Sequence, residues 1–198
     1  MNAPDIALPV LFFASIFTSN ILLANFLGMC SFITISSNLR SAHGLGLAVI
    51  VVMSITSIIN WLLYTFVISV YNLEFLGFII FIIVIAAVVQ MLEMVIERIS
   101  PPLYMALGIF LPLITVNCAI LGVVLFIQIR NYSWDQALIF GIGSGIGWWL
   151  AIVALAAIRQ KIDKAPVPSG LKGAGITLIT IGLMAMAFLG FSGMLSVQ

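Results

Sequence analysis

Two residues in this 198-residue chain have side chains suited to soft metal chemistry, and they are its only cysteines, Cys30 and Cys118. Each stands inside an apolar segment, in Asn25-Phe26-Leu27-Gly28-Met29-Cys30 and in Leu111-Pro112-Leu113-Ile114-Thr115-Val116-Asn117-Cys118. Each follows a helix-disturbing residue, Gly28 in the first case and Pro112 in the second. Thiolates suit iron–sulfur clusters, zinc and Cu(I). A lone cysteine in an apolar helix is often only a small packing residue, but two in the same local setting argue for a shared task. An iron–sulfur cluster normally takes four cysteine ligands. Two are present, so the expected solution is a cluster shared with a second, similar subunit. Backbone N–H groups freed at a helix break would point at such an anionic centre, and the apolar surroundings would shape its reduction potential.

Other chemistry is sparse. Glu93 lies one turn deeper than Glu97 in Val89-Gln90-Met91-Leu92-Glu93-Met94-Val95-Ile96-Glu97-Arg98, and an ionisable group within a span is a candidate for an ion or proton path. An interface anchor like Glu97 and Arg98 is the competing account of it. The run Gly141-Ile142-Gly143-Ser144-Gly145-Ile146-Gly147 lacks the spacing of a dinucleotide loop and follows no strand. Its two GxxxG pairs point to close helix packing, with Trp148 and Trp149 as packing or interface residues. Asn20, Asn25, Asn60, Thr115 and Asn117 are expected to bond between helices, Asn25 and Asn117 beside the cysteines. His43, the only histidine, is expected in a surface loop. No hydrolytic triad, histidine metal site or motif for NAD or flavin can be assembled, and no catalytic residue is assigned.

These residues need elements to hold them. With 64% hydrophobic and only 7% charged residues, against roughly a quarter charged in soluble domains, the chain must lie in a lipid bilayer. A net charge of +1 gives no reason to expect nucleic acid. A span needs about 20 apolar residues, and six segments qualify: Ile6 to Ser36, Gly44 to Val70, Phe75 to Ile96, Leu103 to Ile129, Ala137 to Ile158 and Leu171 to Leu195. The amino-terminal residues lack a basic leader region, so the first stretch is expected to be kept as a spanning helix. The fold class is therefore all-α integral membrane, in one membrane domain covering 1–198. The loops holding Arg40, Arg98 and Arg159 to Lys172 carry six of the seven Lys and Arg residues. They are expected in the cytoplasm, with both termini periplasmic. The cysteine segments and the glycines of the second and fifth spans recur at matching places. That predicts two inverted three-helix repeats, about 1–98 and 99–198, with the first and fourth helices broken near the cysteines.

The cysteine segments, together with Leu107-Gly108-Ile109-Phe110 ahead of the second, Gly145-Ile146-Gly147-Trp148-Trp149-Leu150-Ala151-Ile152-Val153 and Gly182-Leu183-Met184-Ala185-Met186-Ala187-Phe188, resemble the family of E-type subunits of the sodium-translocating NADH:quinone oxidoreductase. The sister family is the A-type subunits of the Rnf ferredoxin:NAD oxidoreductase. The resemblance implies a non-autonomous translocase subunit of the bacterial inner membrane, within a complex of six subunits. Its partner would be a homologous subunit of the D type, inserted in the opposite sense. The pair would hold a [2Fe-2S] cluster, with Cys30 and Cys118 as this chain's ligands. It would relay electrons from the NADH-oxidising flavoprotein toward an outer flavin and finally ubiquinone, while Na+ is exported. Flavins and NADH would be bound by other subunits. Glu93 matches an acidic position that the resemblance associates with the cation path. Rival expectations are an A-type subunit of an Rnf complex, a secondary transporter that couples an ion through Glu93, or a membrane scaffold.

Overall fold

In a computed structural model, residues 7–71, 74–99, 111–168 and 170–191 are described. Among them every regular element is helical. In chain order these are α1 (Leu8–Thr18), α2 (Met29–Ile35), α3 (Leu39–Tyr71), α4 (Glu74–Ile99), α5 (Leu111–Thr115), α6 (Cys118–Ile129), α7 (Trp134–Ile162) and α8 (Ala174–Leu189). Among the described residues, three helices are long and apolar enough to cross a membrane: α3, the Phe75–Arg98 stretch of α4, and α7. The others are shorter.

The boundaries depart from hydropathy alone. The expected first span divides into α1, an irregular stretch and α2. The second begins earlier than Gly44, because the Asn38 side chain accepts from Arg40 N–H and caps α3. Asn38 thus satisfies one of the orphan donors at a helix start, and His43 falls in the first turns of α3 rather than in a loop. The fifth extends from Ala137 and Ile158 to Trp134 and Ile162, opened by a capping box of Ser133 and Gln136. Arg159 is therefore part of a helix. The linker at Ser100-Pro101-Pro102, the start of the fourth segment and the end of the sixth lie outside the described residues.

The core is the pairing of α3 with α7, with α1 alongside. Glycines of α7 permit it. A Cβ on Gly145 would stand 2.9 Å from Ile50 Cα, and Gly141 abuts Ser57 and the Met53 carbonyl of the same helix. Two residues further along, Gly143 abuts Ser15 and Gly147 the Ile16 backbone of α1. The two GxxxG pairs thus serve two different neighbours. In an apolar solvent helices associate by such close packing, since lipid offers no hydrophobic drive. Ser15 and Ser57, fitted into these notches, satisfy their hydroxyls by donating to Phe12 O and Met53 O. α4 is mostly exposed, with Phe75, Ile83 and Met91 on its outer side, which suits lipid or another subunit.

Candidate metal centre at two helix breaks

α1 ends in a π-helical stretch at Ala14–Thr18, and the chain stays irregular until Gly28 caps α2. Asn20 organises this break. Its carboxamide donates to Ile16 O at 2.9 Å and to Gly147 O of α7 at 3.0 Å. Its oxygen accepts from Leu22 and Leu23 N–H. One buried side chain therefore ends α1, starts the next turn and ties both to α7. Asn25, expected to brace the cysteine, is exposed on the loop; the bracing asparagine is five residues earlier. Gly28 adopts φ +83°, in the left-handed region that disfavours a Cβ. Phe26 adopts φ 54° there as well, an uncommon state for a bulky residue.

The second break is not at Pro112. That residue lies inside α5, and the interruption comes at Val116 and Asn117, directly before Cys118. Asn117 is extended, and its side-chain oxygen accepts from Ala119 N–H at 3.0 Å as the cap of α6. A strong amino-terminal cap starts a new helix here, and the cysteine becomes its first residue.

These two breaks meet. The Gly28 N–H donates to Cys118 Sγ at 2.9 Å, across 90 positions of sequence. A Cβ on Gly28 would stand 2.9 Å from both Asn117 Oδ1 and Trp148 Nε1. Cys30 follows in the first turn of α2.

α7 serves as a ruler for this meeting. Trp148, packed at Gly28, has fourteen residues of α7 before it and fourteen after. Tyr132, at the far end of α6, stacks edge-on against Phe140 near the start of α7. The far end of α2 reaches Arg159 near its end. So α2 and α6 start together beside the middle of α7 and run in opposite directions. Both helix starts, with their partial positive charge, face the cysteine region.

Both cysteines are exposed and neither is in a disulfide. Among the described residues no three metal-ligating side chains gather. The donor set present fits half of a four-thiolate site. Its two sulfur-bearing residues are exposed, one sulfur already accepts a backbone N–H, and buried donors on Asn117 Nδ2 and Trp148 Nε1 have no protein partner among the described residues. Glu93 is half-buried on α4, with no hydrogen bond or ion pair among the described residues. Gln90, one turn further along the same face, is exposed and does not carry a polar stripe inward. Asn60 bonds within its own helix, to Thr56 O, rather than between helices. Trp148 is fully buried, and Trp149 packs on Gly46 with its ring 5.2 Å from that of His43.

With this geometry in place, comparison with known proteins assigns the family. Residues 9–195 match the model described as "Rnf-Nqr subunit, membrane protein". The chain belongs to the Rnf-Nqr membrane-subunit family. It is similar to proteins named as the E-type subunit of Na(+)-translocating NADH-quinone reductase. That of Photorhabdus laumondii is 54% identical, over 92% of this chain and 96% of the relative. That of Proteus mirabilis is 53% identical over the same shares, and that of Marinobacter nauticus 50%, over 90% of this chain and 94% of the relative.

Proposed function

We propose that this chain is the membrane electron-transfer subunit of a sodium-pumping NADH:quinone oxidoreductase, sharing an intramembrane [2Fe-2S] cluster with a homologous partner. The observation that carries this reading is the bond from Gly28 N–H to Cys118 Sγ, which joins the two cysteine-bearing breaks beside the middle of the long helix α7. The names of the relatives supply the complex. When bound, the cluster supplies a one-electron carrier. Cys30 and Cys118 would provide two of its four thiolates, and the exposure of both leaves room for a partner to supply the rest. Gly28 N–H stabilises negative charge on the Cys118 sulfur.

In this reading the element order is two inverted repeats, each a broken helix, a long helix and a third helix, giving six spans. The bias of Lys and Arg then argues for a cytoplasmic side at the helix ends and connections around Arg40, Arg98 and Arg159 to Lys172, with both termini outside. Glu93 is assigned to the cation path. The partner is an oppositely inserted subunit of the D type.

Cys30→Ser and Cys118→Ser are expected to abolish quinone reduction by the complex while NADH oxidation with artificial acceptors continues. Iron and sulfide should co-purify with this subunit only when it is co-expressed with its homologous partner. Full quinone reductase activity and normal iron in either variant would overturn the reading, and leave transport through Glu93 or a scaffolding role in its place.

A further inference from the structure

Arg159 is not used by the reading above, yet its placement is specific. From α7 its Nη1 donates to Ile33 O at 2.9 Å and to Ser36 Oγ at 2.7 Å. Both acceptors belong to the last turn of α2, where carbonyls lack intrahelical donors. Ser36 Oγ in turn donates to Ile33 O at 3.1 Å, so three groups close one network. A guanidinium there also complements the negative end of the helix. Arg159 is half-buried, so its bonds are screened less than those of a surface charge.

α2 needs such a hold. It has seven residues and no side-chain cap at its start, far short of the ~12 to 15 at which an isolated helix becomes even marginal. Its position must be imposed by neighbours. At one end Gly28 rests against Trp148; at the other, Arg159 holds Ile33 and Ser36. Both grips come from α7. Trp148 and Arg159 are separated by a rise of about 16 Å, and Gly28 and Ser36 by about 12 Å, a difference the long arginine side chain spans. Cys30 lies between the two grips.

We infer that Arg159 is the positioning residue for Cys30, clamping α2 along α7 so that the Cys30 sulfur is held at the centre that Cys118 also faces. The inference rests on the reading of Cys30 as a cluster ligand. It is tested on the complete complex in detergent with Arg159→Gln, Arg159→Lys, Ser36→Ala and the control Lys164→Gln, which removes an exposed charge. Two quantities are read. Hydrogen exchange of the α2 amides reports the clamp whether or not iron is bound. The spin signal of the reduced cluster, with its midpoint potential, reports the setting of Cys30.

Arg159→Gln is expected to speed α2 exchange by at least about tenfold, the order associated with losing a charge-assisted hydrogen bond, with α6 unaffected. The spin signal should broaden or shift, Arg159→Lys should restore it in part, and Lys164→Gln should match the parent. Should Arg159→Gln fail to assemble, Ser36→Ala, which removes one acceptor and no charge, carries the test with a smaller change in the same sense. Unchanged α2 exchange overturns the clamp. Faster exchange with an unaltered spin signal overturns the positioning of Cys30. If instead Cys30→Ser retains the iron, the ligand reading fails, and with it any positioning role for Arg159; α2 exchange then reports only whether the helix is clamped.

Discussion

A side chain at position 28 would have to occupy space already held by Asn117, Trp148 and Ala119, whose Cβ would be 3.1 Å away. It would do so in a left-handed backbone that costs an L-residue about 1–2 kcal/mol, before an overpacking cost of about 1–3 kcal/mol. Gly28→Ala is therefore expected to lower the unfolding temperature of the assembled subunit and to reduce its iron content together, measured by thermal melts and metal analysis. Normal iron in a fully folded Gly28→Ala would show that the Gly28 N–H is dispensable for the centre. Gly28 was legible as a helix breaker because glycine alone takes the left-handed state freely, and the cysteines drew notice as the only two in the chain. Asn20 was legible only as a polar residue. That its four hydrogen bonds organise the break depends on Gly147, 127 positions away, and no local pattern carries that. Pro112 misled for the opposite reason. It is the conspicuous breaker, while the cap that restarts the helix is the next asparagine.

At the scale of elements, the glycines of α7 set how closely α3 and α1 approach. Gly145→Val would push side-chain carbons against the Ile50 backbone, which cannot swing aside as a side chain does. A loss of about 1–3 kcal/mol is expected, read as a lower melting temperature in micelles. Gly182 in α8 has nothing within 4 Å of its Cβ position. Gly182→Ala should be neutral or stabilising, by up to about 1 kcal/mol from helix propensity. Equal effects at the two positions would refute the packing account. Hydropathy found the long helices α3, α4 and α7 because each is one continuous apolar run. The interruptions near the cysteines were expected, but hydropathy did not place them: their positions are set by Asn20 and Asn117, whose side chains take over the backbone hydrogen bonds there. The placement of Arg159 was missed for a related reason: a basic residue near a span end reads as a loop charge, whereas here it satisfies the end of another helix.

For the whole molecule, the scarcity of charge and the family agree on a membrane subunit, and the proposed orientation is open to direct measurement. Ser37→Cys and Lys164→Cys should react with an impermeant maleimide only from the cytoplasmic side, and Asn131→Cys only from the outside. Labelling of all three from one side would reject the arrangement. On the proposed reading, with an electron carrier at the cysteines and α7 spanning the bilayer, the meeting of α2 and α6 at the middle of α7 has an electrical consequence. Moving one elementary charge across a membrane is worth about 2.3 kcal/mol per 100 mV, and a station halfway divides that work between two hops. Arrival at the cysteines and departure from them should each feel about half of an imposed voltage, so in energised vesicles neither rate would be indifferent to it.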